Sequence, residues 1–112
     1  MVYRVFEIPE FHEFVDTLGV GPDFVEGGDA QQLVFPQDGE QLTITFDAPG
    51  RSVHLRWTRD GSTIVEMFRE GAVGVRLAAS VLTVAFDTDD QRGELQVRTA
   101  PSFELRDRLL LR

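Results

Sequence analysis

Cysteine and lysine are both absent from the 112 residues. Without a thiol there is no disulfide, no thiolate metal site and no cysteine nucleophile. Without lysine there is no Schiff-base chemistry and no P-loop lysine; all eleven basic residues are arginine. Histidine occurs only twice, as His12 and His54, too few for a histidine metal triad and never in an H-E-x-x-H pattern. None of Ser52, Ser62, Ser80 and Ser102 lies in G-x-S-x-G. The glycine spacing Gly19, Gly21, Gly27, Gly28 matches neither a dinucleotide-binding nor a P-loop fingerprint. No apolar run approaches the roughly 20 residues of a membrane span. The opening MVYRVFEIPE lacks the charged and apolar regions of a signal peptide. These absences lead to an expectation of a cytoplasmic, non-enzymatic chain with no catalytic residue, no metal and no cofactor.

What is present suits a single globular domain spanning 1–112. A chain of this length hides about two-thirds of the surface it exposes when unfolded, enough for a core without staples. The 42% hydrophobic content and nine phenylalanines supply that core. The net charge of −8 is unevenly spread. Residues 1–40 carry nine acids against the single base Arg4, whereas residues 41–112 carry ten of each sign. A field of this sign, concentrated in the first third, repels nucleic acid and anionic membranes and attracts basic partners.

Along the chain, VYRVFEI alternates and reads as a strand over 2–8. Pro9 stops it and suits the first position of a helix over 9–18. Phe11, Phe14, Val15 and Leu18 recur at helical spacing as one apolar stripe, and Gly19 is a natural stop. Residues 19–32, with four glycines and a proline, read as a loop. Strands follow at 33–35, 41–47, 52–59, 62–69, 94–99 and 103–106, the last able to continue to the C-terminus. Asp60-Gly61 is a strong hairpin signal between two of them. Residues 71–81 are ambiguous. Val73, Val75 and Leu77 alternate on odd positions, whereas Leu82, Val84 and Phe86 alternate on even ones. A turn or bulge near Ala78–Ser80 accounts for the switch, and a short helix over 76–81 is the alternative. Short connections between successive strands predict antiparallel pairing. The fold class expected is α+β, one N-terminal amphipathic helix packed on a curved antiparallel sheet of about six to eight strands. The parallel stretches LTITFD (42–47) and LTVAFD (82–87) suggest that leucine, isoleucine or valine, and phenylalanine face the core while the threonines face away.

Four constellations bear on chemistry. Asp87, Asp89 and Asp90 lie close enough for a cation loop, but the EF-hand pattern fails because Arg98 stands where its glutamate belongs, and a solvated hairpin end is the plainer reading. His12 and Asp16 stand at i, i+4, which can orient an imidazole but is equally an ordinary surface pair. His54, Arg56 and Glu66 fall on one sheet face with Thr43 and Thr45, either a site floor or a polar outer surface. A sheet–helix pocket with Tyr3, His54 and Arg56 as polar groups is the corresponding small-ligand or minor-enzyme alternative.

The acidic first third carries the leading reading. Glu10, Glu13 and Asp16 on the helix, with Asp23, Glu26 and Asp29 in the following loop, form a docking face for a basic protein. In size, charge and lack of catalytic machinery the chain is similar in class to the small acidic proteins that neutralise toxins, as bacterial immunity proteins do. A third possibility is a homodimer built on Met67, Phe68 and Leu109–Leu111.

Overall fold

Three two-residue turns dictate much of the topology. Asp38-Gly39, Asp60-Gly61 and Ala79-Ser80 each close a hairpin, and Asp38, Gly39, Asp60, Gly61 and Ser80 all take positive φ. This is the backbone hand that matches the twist of paired strands, and aspartate and glycine tolerate it. The computed structural model describes residues 5–111, with side chains through Leu109.

One helix, α1 (Phe11–Leu18), precedes nine strands: β1 (Asp23–Phe24), β2 (Gln31–Gln37), β3 (Glu40–Asp47), β4 (Ser52–Arg59), β5 (Ser62–Glu70), β6 (Ala72–Ala78), β7 (Val81–Asp87), β8 (Gln91–Arg98) and β9 (Glu104–Leu111). They form two antiparallel sheets, β1-β2-β3-β4-β5 and β6-β7-β8-β9, each in sequence order. The class is α+β as expected, but two sheets replace the single curved one and the strands exceed the expected number.

The division falls at Gly71. This residue has φ +90, a conformation that costs glycine little and other residues much. A Cβ there would approach Thr88 Cγ2 to 2.4 Å. The Arg51 carbonyl accepts the N–H groups of both Gly71 and Ala72 at 2.9 Å, and Asp87 donates its N–H to the Gly71 carbonyl at 2.9 Å. The chain therefore leaves β5 and enters β6 in the other sheet within one residue. A register shift between Ala72 and Gly74 follows at once. That bulge and the Ala79-Ser80 turn together produce the apolar phase switch, and residues 76–78 belong to β6, not to a helix.

The core lies between the sheets in register-defined rows. Leu33, Ile44, Leu55 and Met67 stand side by side across sheet one. Leu77, Leu82, Val97 and Leu105 do the same across sheet two. Leu42, Ile44, Phe46, Leu82, Val84 and Phe86 are all buried, as the two similar stretches suggested. Thr83 departs from the expectation. It is buried on the outer face, between its cross-strand neighbours Arg76 and Gln96, whose long side chains flank a short one.

The N-terminal region differs in detail. Of the strand read over 2–8, residues 2–4 lie outside the described residues, and Glu7 makes only an isolated parallel bridge to Gly74. Pro9 stands before the helix, and Glu10 is its N-cap. Glu10 donates its backbone N–H to Glu13 Oε2 at 2.7 Å, so the Glu13 carboxylate satisfies an amide at the helix entrance. Gly19 ends the helix in the left-handed conformation and donates to the Val15 carbonyl at 2.9 Å. Only Phe14 of the apolar stripe is fully buried. Its ring meets Phe46 at 6.2 Å, and Phe46 also receives the edge of Phe6 at 5.9 Å. Phe11 is 60% exposed and lies against Gly21, where a Cβ would collide with its ring, and Val15 is exposed as well. A two-turn helix lodged beside β6 inserts Phe14 fully into the core, packs Leu18 partly against it and leaves Phe11 and Val15 outside.

Candidate functional site

The six acids expected to form a docking face are all exposed, but they sit on two elements. Glu10, Glu13 and Asp16 belong to α1 and its cap. Asp23 opens β1, while Glu26 and Asp29 lie in the β1–β2 connection, held by Val25 N–H to the Ala30 carbonyl at 2.8 Å and Gly28 N–H to the Val25 carbonyl at 3.2 Å. Glu13 and Asp16 do converge, together with His12, on a groove of about 320 Å³ between α1 and β6 floored by Val75 and Leu77. Apolar floor and acidic wall suit the aliphatic stem and charged head of an arginine or lysine. No basic residue occupies the last helical turn, where Asp16 faces the unfavourable end of the helix dipole.

His54, Arg56, Glu66, Thr43 and Thr45 do share a sheet face, through the pairs Thr45–His54, Thr43–Arg56 and Arg56–Glu66. It is the outward face of sheet one. Glu66 Oε2 is 3.6 Å from His54 Nε2 and 3.7 Å from Arg56 Nε, and Arg56 donates instead to Thr63 Oγ1 at 3.2–3.3 Å. Both ion-pair distances are too long for hydrogen bonds, which leaves the carboxylate with spare acceptor capacity. The interior between α1 and sheet one, where a sheet–helix pocket would have to open, is filled by Phe6, Phe14 and Phe46. His54 and Arg56 point away from it. Tyr3, the third group of that pocket, lies outside the described residues.

The turn carrying Asp87, Asp89 and Asp90 is closed by Thr88 and Gln91. Thr88 donates its N–H to the Gln91 carbonyl at 2.8 Å and accepts from the Gln91 N–H on Oγ1 at 3.1 Å. Among the described residues no three His, Asp or Glu side chains gather as a metal site. A second groove, of about 360 Å³, is lined by Asp87, Arg92, Glu94 and Arg108 around Val73, Ala85, Phe86 and Gly93, a mixed-sign surface.

The ion pair that joins the two sheets was not foreseen. Arg69 forks onto Asp107, with Nη1 donating to Oδ1 at 2.7 Å and Nη2 donating to Oδ2. The same guanidinium lies 4.9 Å from the centroid of Phe86. The hydrogen bond from Arg69 holds the Asp107 carboxyl below its ordinary value of 3.8; partial burial opposes this, and the Arg69 charge reinforces it. The clamp joins β5 of one sheet to β9 of the other. The sequence holds a trace of it. Leu105, Asp107 and Leu109 share one phase of β9, so Asp107 stands where an inward apolar residue is expected.

The homodimer surface is only partly visible: Phe68 and Leu109 are exposed, Met67 is half-buried towards the core, and the side chains of Leu110 and Leu111 lie outside the described ones. Among the described residues no helix is long and apolar enough to cross a membrane.

No protein-family description matches this chain, and no curated protein matches it in sequence. A solved structure does match in fold. It is a chain of a contact-dependent growth inhibition toxin–immunity protein complex from Klebsiella pneumoniae 342, with a TM-score of 0.80. The alignment covers 96% of this chain and 100% of that chain at 10% sequence identity.

Proposed function

We propose that this chain is an immunity-type protein. It is a non-catalytic cytoplasmic binder that neutralises a basic toxin by docking it through Glu10, Glu13 and Asp16 of α1, with Asp23, Glu26 and Asp29 extending the field. The observation that carries the reading is the fold shared, end to end, with a chain of a toxin–immunity protein complex. The exposed acids, concentrated in one third of the chain, agree with it. A binder that must intercept a toxin gains from an opposite-sign surface, because charge complementarity accelerates encounter and selects partners. Asp16 is consistent with selection for binding, since an acid in the last helical turn weakens the helix that carries it.

The test begins with growth rescue against a panel of contact-dependent growth inhibition toxin domains. The rescued domain then becomes the ligand for binding measurements. Glu10→Arg and Asp16→Arg reverse charge, while Glu13→Gln removes charge yet keeps an acceptor for the Glu10 amide. The combined variant is expected to bind at least tenfold more weakly and with a shallower salt dependence. Undiminished affinity with an unchanged salt slope would refute the docking face. Measurable turnover of any substrate by the purified chain would refute the non-catalytic reading.

A further inference from the structure

The two sheets end in four edges, and three are guarded. β1 has only two residues, and the stretch of β2 that it leaves uncovered, Leu33–Gln37, contains Pro36, which has no N–H to offer a further strand. β6 is bridged by Glu7 and accompanied by α1. β9 carries Arg106, Asp107 and Arg108 in succession, with Asp107 in the inward phase. Short strands, covering elements and dense or inward charge are the usual protections against unwanted pairing. β5 is the longest strand of the nine, and its stretch Ile64–Phe68 (IVEMF) contains no proline and a single charge.

Its register shows what this edge offers. Arg59 and Ser62 flank the two-residue Asp60-Gly61 turn, so their backbone groups face each other. By alternation along β4, and past the bulge at Ile64, Val65, Met67 and Arg69 direct their backbone groups to β4. Those of Glu66 and Phe68 point out of the sheet. The side chains of Glu66 and Phe68 stand on the outward face, Glu66 53% and Phe68 62% exposed, with Ile64 43% exposed beyond them. Among the described residues no strand pairs with this outer side of β5, and a backbone edge with this side-chain order selects an extended segment as its occupant.

We propose that the free edge of β5 accepts an extended strand of the basic partner as a sixth strand of sheet one. A basic side chain of that strand faces Glu66, flanked by apolar ones at the alternate positions against Ile64 and Phe68. A second copy of this chain fits poorly. Antiparallel self-pairing centred on Glu66 opposes two carboxylates, and centring on Phe68 sets Glu66 against Glu70. Centring on Met67 sets Glu66 against the Phe68 ring. None of these registers sets a cation of the second copy opposite Glu66, and like charges directly opposite destabilise a ladder. The assignment rests on the partner being a basic protein, and it adds where and in what conformation that protein is gripped.

A capped seven-residue peptide serves as the probe, with threonine at odd positions, valine at the second and sixth, and arginine at the fourth. Its control carries glutamate at the fourth position. Amide exchange followed by NMR on the full chain is expected to show Glu66 and Phe68 N–H groups slowed at least threefold by the arginine peptide. The glutamate peptide should bind about tenfold more weakly, in line with opposed charges across a strand pair. Phe68→Pro removes an outward N–H without removing a bond to β4, so it should abolish protection while the circular dichroism spectrum is retained. Glu66→Lys, which preserves every backbone group, should reverse the preference between the peptides.

Equal binding of the two peptides, protection at β9 in place of β5, or no protection would overturn the proposal. A wild-type dimer in sedimentation that Phe68→Pro dissolves would overturn it too, by making a second copy the occupant. The docking-face reading is read separately: loss of edge protection with intact sensitivity to the Glu10 and Asp16 changes removes strand addition alone.

Discussion

β5 and β9 close opposite sheets, and both are long strands that pair on one side only among the described residues, yet their chemistry diverges. Three consecutive charged residues occupy the middle of β9, and Arg98 and Glu104 add an ion pair at 2.9 Å across its start. β5 exposes Ile64 and Phe68 on either side of Glu66, and its other charges, Arg69 and Glu70, lie at its end. Arg69 and Asp107, a pair of inward residues, tie the two edges together. Two sheets made by the same meander thus finish differently: one edge is charged against strangers, and the other is left suited to a visitor. Edge strands are an aggregation hazard that proteins usually suppress, so an unsuppressed one points to use.

The strongest way to break this comparison is to remove the corner that makes two sheets. Gly71→Val must place a β-branched residue at φ +90 against Thr88. A loss of roughly 3 kcal/mol in denaturant unfolding is expected from the combined backbone strain and overpacking. A smaller effect follows from cutting the tie between the edges. Arg69→Ala should cost about 1 kcal/mol, since the pair is only partly buried and solvent screens it. The pair also gives stability a pH dependence. Because the folded state holds the Asp107 carboxyl below its ordinary value, the stabilisation is fully present above about pH 4 and is lost as pH falls through the folded value. Asp107→Asn should lack that component, so its acid unfolding profile is flatter than wild type and the two converge at low pH.

Two finer changes contrast the helix with the edges. Glu13→Ala should cost roughly 0.5–1 kcal/mol by leaving the Glu10 amide without its partner, and Glu13→Gln should recover most of it. Asp16→Asn should stabilise the fold by about 0.3 kcal/mol through the helix dipole while weakening capture of the partner. A thermal melt and a binding titration on the same sample check both halves of that opposition.

Hairpin turns and alternating strands were legible because they are local. Asp60-Gly61 needs only two residues to specify its backbone, and the period of two in Leu42, Ile44 and Phe46 needs only one strand. The burial of Phe14 was legible for the same reason, but the exposure of Phe11 and Val15 was not. Helical periodicity marks a stripe without saying how much of it a neighbour covers. The candidate site divided similarly. Acidity and exposure of the six carboxylates followed from composition, whereas Glu13 as a cap, the convergence of Glu13 and Asp16 on the groove beside β6, and the outward placement of His54 required the packed arrangement.

The sequence by itself determined the α+β class, the antiparallel order of the strands, the apolar rows and the charge gradient along the chain. Each of these is carried by interactions between residues close in the chain or by a simple sum of charge. Tertiary structure alone decided that the meander splits at Gly71, that Arg69 finds Asp107, and that β5 is the last strand of its sheet among the described residues. Those outcomes depend on which residues meet across the interior, where register and the corner of a single glycine bring together groups separated by dozens of positions.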